Sequence, residues 1–163
     1  MEPVLFEDEV KYDLWIKIIL VGSIVVLIAL GIMFSVDAYS RDILPEEPVE
    51  DSKIGAIILF SAAVFVLLVY RAVLPRKLFI YRDKIRIKSS LFFYNILFSK
   101  IESYSKTKGL PMGNYLSSPT SLKNQIEIVR KRGLKIRISP CRLNLFLEEL
   151  NRAVEDWEKY QPR

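Results

Sequence analysis

Residues Ile18–Val36 read IILVGSIVVLIALGIMFSV, a run of 19 residues without a charge. A second apolar run, Ile54–Tyr70, has 17 residues. The hydrocarbon core of a bilayer is about 30 Å thick, and a helix of roughly 20 residues crosses it. The two runs therefore predict transmembrane helices over residues 14–36 and 54–74. Two buried helices in a soluble core are the disfavoured alternative, because charge-free runs of this length are rare in soluble helices.

The first span is predicted to stay in the protein as an anchor. The segment before it, MEPVLFEDEV, is acidic, whereas a secretory signal begins with a positive segment. Neither span carries an Asp, Glu, Lys or Arg near its centre, although transporters and proton pumps normally place one there. We therefore expect a plain helical hairpin anchor.

Lysine and arginine are unevenly distributed around the two spans. The connecting segment 37–53, predicted to be a short acidic extracytoplasmic loop, contains only Arg41 and Lys53, whereas seven such residues occur in residues 71–88. Positive residues close to a span stay in the cytoplasm. The N-terminal segment 1–13 and the C-terminal part are therefore both predicted to be cytoplasmic, in a multi-pass protein of a cell inner or plasma membrane.

The residue composition argues against catalysis. The chain has no histidine and one cysteine, Cys141. These counts exclude disulfide frameworks, Cys/His zinc sites and the Ser-His-Asp or Cys-His nucleophiles. Glu102 and Glu127 are the only acids in residues 84–139, and nothing in the sequence pairs them for acid–base chemistry. We expect a protein without enzymatic activity, metal or cofactor. We also expect no nucleic-acid binding, since no recognition module is visible.

From residue 75 onward the pattern becomes typical of β-strands. Leu78–Tyr81 and Ile85–Lys88 alternate across a tight turn, and the aromatic segment Leu91–Phe98 is predicted to be a third strand that is covered on both faces. Gln125–Arg130 and Leu134–Ser139 alternate in the same way and predict a further hairpin. Residues 75–163 are therefore predicted to form one cytoplasmic domain built on antiparallel strands.

The remainder of that domain is predicted to be a loop and a helix. Residues 104–121 lack strong periodicity and read as a loop, in which residues 115–116 could form a short strand. Apolar residues from Leu143 to Trp157 follow i, i+3, i+4, i+7 spacing, with Ser139 as the predicted N-cap and Pro140 in the first turn. A single amphipathic helix of this kind can cover the open face of an antiparallel sheet.

The chain resembles a known family over about residues 75–155. The succession YRDKIRIKS, an aromatic strand, FSKIES, a loop ending SSPTSLKNQIEI, and KIRISPCRLNLFLEEL is similar to the small bacterial pleckstrin-homology-like domains found beside membrane spans. In that family Ser-Pro followed by Phe-x-x-x-Leu closes the domain, as Ser139-Pro140 and Phe146–Leu150 do here. The resemblance implies an α+β fold, in which a pleckstrin-homology-like antiparallel β-barrel or sheet is closed by the C-terminal helix. Its motifs are structural and imply no catalytic residue.

The best candidate for a functional surface is basic. Residues 1–74 carry 5 Lys/Arg and 11 Asp/Glu, whereas residues 75–163 carry 19 and 8, so the total of +5 combines −6 with +11. A lysine or arginine held near an anionic leaflet contributes on the order of 1 kcal/mol to binding. The candidate surface residues are Arg76, Lys77, Arg82, Lys84, Arg86, Lys88, Arg130, Lys131, Arg132, Lys135 and Arg137.

Two functional hypotheses follow from these features. The first is a non-enzymatic integral membrane protein whose cytoplasmic module binds anionic lipid headgroups, a protein partner or a second copy of itself. The second is an accessory subunit of a membrane enzyme or transporter complex, with contacts through the spans and through Phe92–Phe98. The positive-inside bias alone also predicts a basic, solvated face. The sequence leaves these alternatives open.

Overall fold

The computed structural model describes residues 3–42, 50–110, 114–117 and 120–160. The described chain forms two compact units. One is Leu14–Ala72, and the other combines Met1–Asp13 with Val73–Arg163. Part of the predicted extracytoplasmic loop, residues 43–49, lies outside the described residues. The helical unit is thus inserted between two segments of the second unit.

The inserted unit consists of two long helices, α1 (Leu14–Asp42) and α2 (Glu50–Val73). Leu14–Ser40 and Lys53–Val73 are long and apolar enough to cross a membrane, by their length and composition. The two predicted spans are therefore confirmed as apolar helices. Helix α1 is longer than predicted, because residues 37–42 continue it into the segment assigned to the loop.

Helices α1 and α2 pack through glycines that face aromatic rings. A Cβ atom on Gly31 would lie 3.0 Å from Cε1 of Phe60, and a Cβ atom on Gly55 would lie 2.9 Å from Cδ1 of Phe34. Each helix therefore offers a glycine to a phenylalanine of the other helix, and a larger residue at either position would displace the ring. Neither span contains a G-x-x-x-G, so this reciprocal packing is visible only in the structure.

The first sheet contains four antiparallel strands in the order β1-β2-β3-β4. The strands are β1 (Phe6–Glu9), β2 (Lys77–Ile80), β3 (Lys84–Lys88) and β4 (Phe93–Leu97). Strand β1 precedes the helices in sequence and β2 follows them, yet the two strands are neighbours. The two-helix unit therefore occupies the connection between adjacent strands of one sheet.

Strand β1 is held by side chains that point into the domain. The Phe6 ring packs edge-on against Phe146, with 6.1 Å between the ring centroids. The buried Asp8 carboxylate accepts the backbone N–H of Arg142 at 2.9 Å and its Nε–H at 3.2 Å. A β-bridge joins Val10 to Pro140. Sequence reasoning missed this strand, because the four residues FEDE include an acid at an inward position.

The second sheet has the order β5-β7-β8-β6. Its strands are β5 (Ile101–Thr107), β6 (Tyr115–Ser117), β7 (Gln125–Arg130) and β8 (Lys135–Ile138). Strand β6 runs parallel to β8 and confirms the short strand predicted at residues 115–116. Strand β5 enters the predicted loop, so the loop prediction is wrong for residues 104–107. Residues 111–113 and 118–119 of that loop lie outside the described residues.

Helix α3 (Leu143–Lys159) completes the core of this unit. The buried apolar cluster draws on both sheets and on the helix. Its members are Leu78, Ile80, Ile85, Ile96, Phe98, Ile126, Ile128, Ile136, Ile138, Leu143, Phe146, Leu150 and Ala153. The predicted N-cap is wrong, because α3 begins after Arg142 and the buried Ser139 hydroxyl instead accepts the N–H of Ser121 at 3.2 Å.

The strands of the domain belong to two separate sheets. A short 3₁₀ turn at Phe98–Lys100 leads from β4 to β5, and the described strands form two ladders rather than a closed barrel. The prediction of an α+β chain with two apolar helices, antiparallel sheets and a C-terminal helix is confirmed. The closed form of the predicted barrel is wrong for these residues.

Candidate functional site

The predicted basic residues in the strands of the first sheet point away from the core. Ile85 and Ile87 point toward the core, so the alternation of β3 turns Lys84, Arg86 and Lys88 outward. We call the basic and aromatic side chains on the outward side of this sheet and its first turn the basic–aromatic face. Its members are Lys77, Phe79, Tyr81, Lys84, Arg86, Lys88 and Phe93. Glu7 and Glu9 of β1 lie on the same side, opposite Phe79 and Lys77.

Arg86 lies at the centre of the basic–aromatic face. Its guanidinium carbon is 4.8 Å from the centroid of the Tyr81 ring and 5.2 Å from that of Phe93. Its Nε donates to Oδ1 of Asn95 at 2.8 Å. Cation–π contacts and a neutral hydrogen-bond partner hold the guanidinium in place without cancelling its charge. Arg86 is therefore a fixed positive charge that faces outward.

The lysines of the same face differ in how far they are neutralised. Lys77 pairs with Glu7 at 2.6 Å, and this hydrogen bond raises the pKa of Lys77. Lys84 is largely covered, with its Nζ 5.5 Å from the centroid of the Tyr81 ring and 3.7 Å from a carboxylate oxygen of Asp83. Lys88 is exposed at the end of β3. Arg86 and Lys88 are thus the members best placed to meet an external anion.

The turn between β3 and β4 and the first residue of β4 carry uncovered apolar side chains. Leu91 is 73% exposed, Phe92 62% and Phe93 66%. The prediction that this segment is covered on both faces is therefore wrong within the described residues. A concavity of about 210 Å³ lies beside the turn, lined by residues 89–93 together with Phe79, Tyr81, Arg86 and Lys88. Apolar and cationic groups thus share one surface.

The predicted basic hairpin lies elsewhere in the domain. Lys131 and Arg132 are exposed in the β7–β8 turn. Arg130 donates from Nη1 to the Tyr94 hydroxyl at 2.8 Å and from Nε to the Leu134 carbonyl at 2.7 Å. Lys135 Nζ lies 3.2 Å from Oε1 of Glu127. Three of these four cations therefore keep their charge at the surface, and the fourth, Lys135, is paired.

Arg137 does not belong to an exposed surface, because only 8% of it is accessible. Its Nη2 donates to Oε2 of Glu127 at 2.9 Å and to the Tyr115 hydroxyl at 3.0 Å. Its Nη1 donates to the Gly109 carbonyl and to Oε1 of Gln125, each at 3.2 Å. This arginine is a structural centre that joins β6, β7 and β8.

The pKa of the Glu127 carboxylate is strongly perturbed. The Tyr115 hydroxyl donates to it at 2.6 Å, and Arg137 and Lys135 donate to it as well. These hydrogen bonds, with Tyr115 the largest cause, lower the pKa of Glu127 to about 2, although partial burial opposes the shift. The acid is therefore ionised throughout the neutral range and compensates the Arg137 charge.

The structure divides the predicted basic residues into groups. The basic–aromatic face holds Lys77, Lys84, Arg86 and Lys88, and Arg76 is joined to it through its N–H, which donates to the Lys88 carbonyl at 2.8 Å. Arg82 lies exposed beside a different groove, which Trp157 and Tyr160 also line. Sequence reasoning missed the rings around Arg86 and the carboxylate beside Arg137, because both depend on pairing between strands.

Comparisons of the chain with protein-family models, with curated proteins and with solved structures find no match. The resemblance to pleckstrin-homology-like domains accordingly stays a prediction. What the basic–aromatic face can bind is inferred from its own charges, rings and exposed side chains.

Proposed function

We propose that this chain is a non-enzymatic integral membrane protein. It crosses the bilayer twice and holds a pleckstrin-homology-like binding module at the cytoplasmic surface of a cell inner or plasma membrane. The module binds the anionic headgroups of its own leaflet through the basic–aromatic face. The observation that carries the proposal is the fixed, outward charge of Arg86 beside the exposed Lys88, on a domain whose adjacent strands are connected through two apolar helices.

The connection to the helices supports this proposal. Strand β1 leads into α1 and α2 leads back to β2, so both ends of the inserted unit belong to one sheet. The Tyr12 hydroxyl donates to the Pro75 carbonyl, and burial raises the pKa of Tyr12 to about 12. If the helices cross a membrane, the N-terminal strand and the C-terminal domain therefore lie on the same side of it.

Cysteine labelling tests the orientation without any substitution. Cys141 is the only cysteine of the chain, and its side chain is exposed. In intact cells, or in spheroplasts where an outer membrane shields the protein, a membrane-impermeant maleimide should not react with Cys141. Reaction should follow once the membrane is permeabilised. Labelling of intact spheroplasts would contradict the cytoplasmic placement.

Lysine footprinting tests the surface in the full-length protein. We expect external acetylation of Lys88 to be about fivefold slower in vesicles that contain phosphatidylglycerol than in pure phosphatidylcholine vesicles, since one cation at an anionic surface is worth about 1 kcal/mol. In 1 M salt the Debye length falls to about 3 Å and the protection should disappear. Lys131, exposed in the β7–β8 turn, is the control and should react equally in both. Equal rates at Lys88 would remove the basic–aromatic face from the proposal.

The accessory-subunit hypothesis remains the second candidate, and the exposed apolar side chains of Leu91–Phe93 favour it. Under that hypothesis the turn contacts a protein instead of lipid. Crosslinking in native membranes followed by detergent extraction and pull-down separates the two. A stoichiometric integral-membrane protein crosslinked to the turn favours the accessory subunit.

A further inference from the structure

The turn between β3 and β4, together with the first residue of β4, presents three consecutive apolar side chains, Leu91, Phe92 and Phe93, to the outside. Hairpin turns of soluble domains are normally polar. The chain closes this turn tightly, since the Ser89 N–H donates to the Phe92 carbonyl at 2.8 Å. The apolar side chains therefore project from a fixed backbone, and an apolar surface of this kind marks a contact with something else.

The position of the turn indicates what that contact is. The Ser89 hydroxyl donates to the carbonyl of Val73 at 2.8 Å. Val73 is the last residue of α2 and of its candidate span. The turn thus lies within hydrogen-bonding distance of the residue at which the chain leaves the apolar helix. A span of 21 residues at about 1.5 Å per residue matches a hydrocarbon core of about 30 Å, so its end lies at the headgroup boundary.

The charges around the turn fit that boundary. Lys88 immediately precedes the turn, Arg86 lines the concavity beside it, and the backbone of Arg76 is bonded to that of Lys88. Phospholipid headgroups present anionic phosphates above an apolar layer. Aromatic and leucine side chains below a row of cations match this order of polarity.

We propose that Leu91, Phe92 and Phe93 insert into the headgroup–acyl boundary of the leaflet at which α2 ends, with Lys88 and Arg86 at the level of the phosphates. The inference rests on the proposed membrane crossing and deepens it, because insertion of this turn fixes the orientation of the domain on the bilayer. The occupant of the exposed apolar turn is thus the lipid interface.

Depth-dependent quenching tests the insertion in the full-length chain. In a Cys141→Ser background, Phe92→Cys carries an environment-sensitive fluorophore in vesicles of phosphatidylcholine and phosphatidylglycerol. We expect blue-shifted emission, strong quenching by a nitroxide near the headgroup end of the lipid chains, and at least fivefold weaker quenching by aqueous iodide than for a label at Arg132→Cys. Position 132 lies in the exposed β7–β8 turn and is the matched control.

The possible outcomes separate the two proposals. A label at Val64→Cys, which is exposed on α2, reports membrane crossing through quenching by a nitroxide deep in the acyl chains. If position 64 is quenched there while position 92 is as open to iodide as position 132, the insertion is wrong and the crossing stands. If position 64 is also open to iodide, the crossing itself is wrong. Shielding of position 92 from both quenchers, together with disulfide-linked dimers of the unlabelled Phe92→Cys chain, would make a second copy the occupant and overturn the insertion.

Leu91→Ser combined with Phe93→Ser provides an independent readout. Both side chains are exposed, so these changes leave the core intact. In the variant, the label at position 92 should lose its blue shift and become at least threefold more accessible to iodide. An unchanged emission and iodide accessibility would overturn the inference.

Discussion

The tetrapeptide Lys-Ile-Arg-Ile occurs twice in this domain, as residues 84–87 in β3 and as residues 135–138 in β8. In both copies the isoleucines contribute to the core and the arginine points to the other side of its sheet. Arg86 nevertheless keeps its charge at the surface, whereas Arg137 is buried among polar partners. Identical local sequences thus have different roles in one domain.

The difference comes from the strands on either side. Arg86 stands opposite Phe79 on β2 and Asn95 on β4, so its neighbours offer rings and a neutral amide. Arg137 stands opposite Glu127 on β7, and the parallel strand β6 brings the Tyr115 hydroxyl to the same carboxylate. Cross-strand pairs determine whether a charge is compensated. A basic strand can therefore be assigned to a binding surface only when its neighbours are known.

Removal of the buried arginine should have the largest effect. Arg137→Met leaves the Glu127 carboxylate without its main cationic partner. It also removes the group that donates to Oε1 of the buried Gln125. We therefore expect a loss of about 3 kcal/mol in the free energy of unfolding. Urea unfolding of the detergent-solubilised chain, followed by near-UV circular dichroism, measures it. The matched variant Arg86→Met removes an outward arginine and should cost about 1 kcal/mol or less. Equal losses for the two variants would refute the distinction between the copies.

Acid should weaken the β8 cluster and leave the β3 copy unaffected. The pKa of Glu127 is about 2 in the folded chain, below its usual 4.5. Its stabilising contribution is therefore complete above pH 4.5 and is lost as the pH falls toward 2. Glu127→Gln should flatten the dependence of unfolding free energy on pH within that window. Glu102→Gln, at an exposed position of β5, is the control and should leave the slope unchanged. The same slope in Glu127→Gln and the parent chain would contradict the assignment.

A third variant would make the β3 copy resemble the β8 copy. Asn95→Glu places a carboxylate directly opposite Arg86, in the position that Glu127 holds opposite Arg137. Because the site is exposed, we expect stability to change by no more than about 0.5 kcal/mol. The fivefold protection of Lys88 by anionic vesicles should shrink severalfold, while Asn95→Gln should retain it. Full protection in Asn95→Glu would show that the free charge of this face is not what binds.

A small effect is also expected from the ring beside Arg86. Phe93→Leu keeps an apolar side chain and removes one of the two aromatic faces that contact the guanidinium. An exposed cation–π contact is worth about 0.5–1 kcal/mol. We therefore expect an equally small loss of stability in urea unfolding, and none for Phe92→Leu, which has no such contact among the described residues. A loss above 2 kcal/mol would mean that Phe93 has a packing role.

Several elements of this architecture could be predicted from sequence alone. The apolar helices, the alternation of β3, β7 and β8 and the stripe of α3 are local patterns, and each is present in the structure. Strand β1 could not be predicted, because its inward Asp8 is stabilised by Arg142, which is 134 residues away. The basic candidates could be recognised as cations from the sequence. Which of them are exposed could not be predicted.

The sequence by itself determined the two apolar helices, the positions of most strands along the chain and the excess of positive charge after the second helix. These properties follow from hydrophobic periodicity and composition over short windows. Tertiary structure alone decided that β1 pairs with β2, that Arg137 is buried beside Glu127 while Arg86 faces outward, and that Leu91–Phe93 are left uncovered. The physical reason is that burial and charge compensation depend on neighbouring strands, and the chain brings those neighbours together only when it folds.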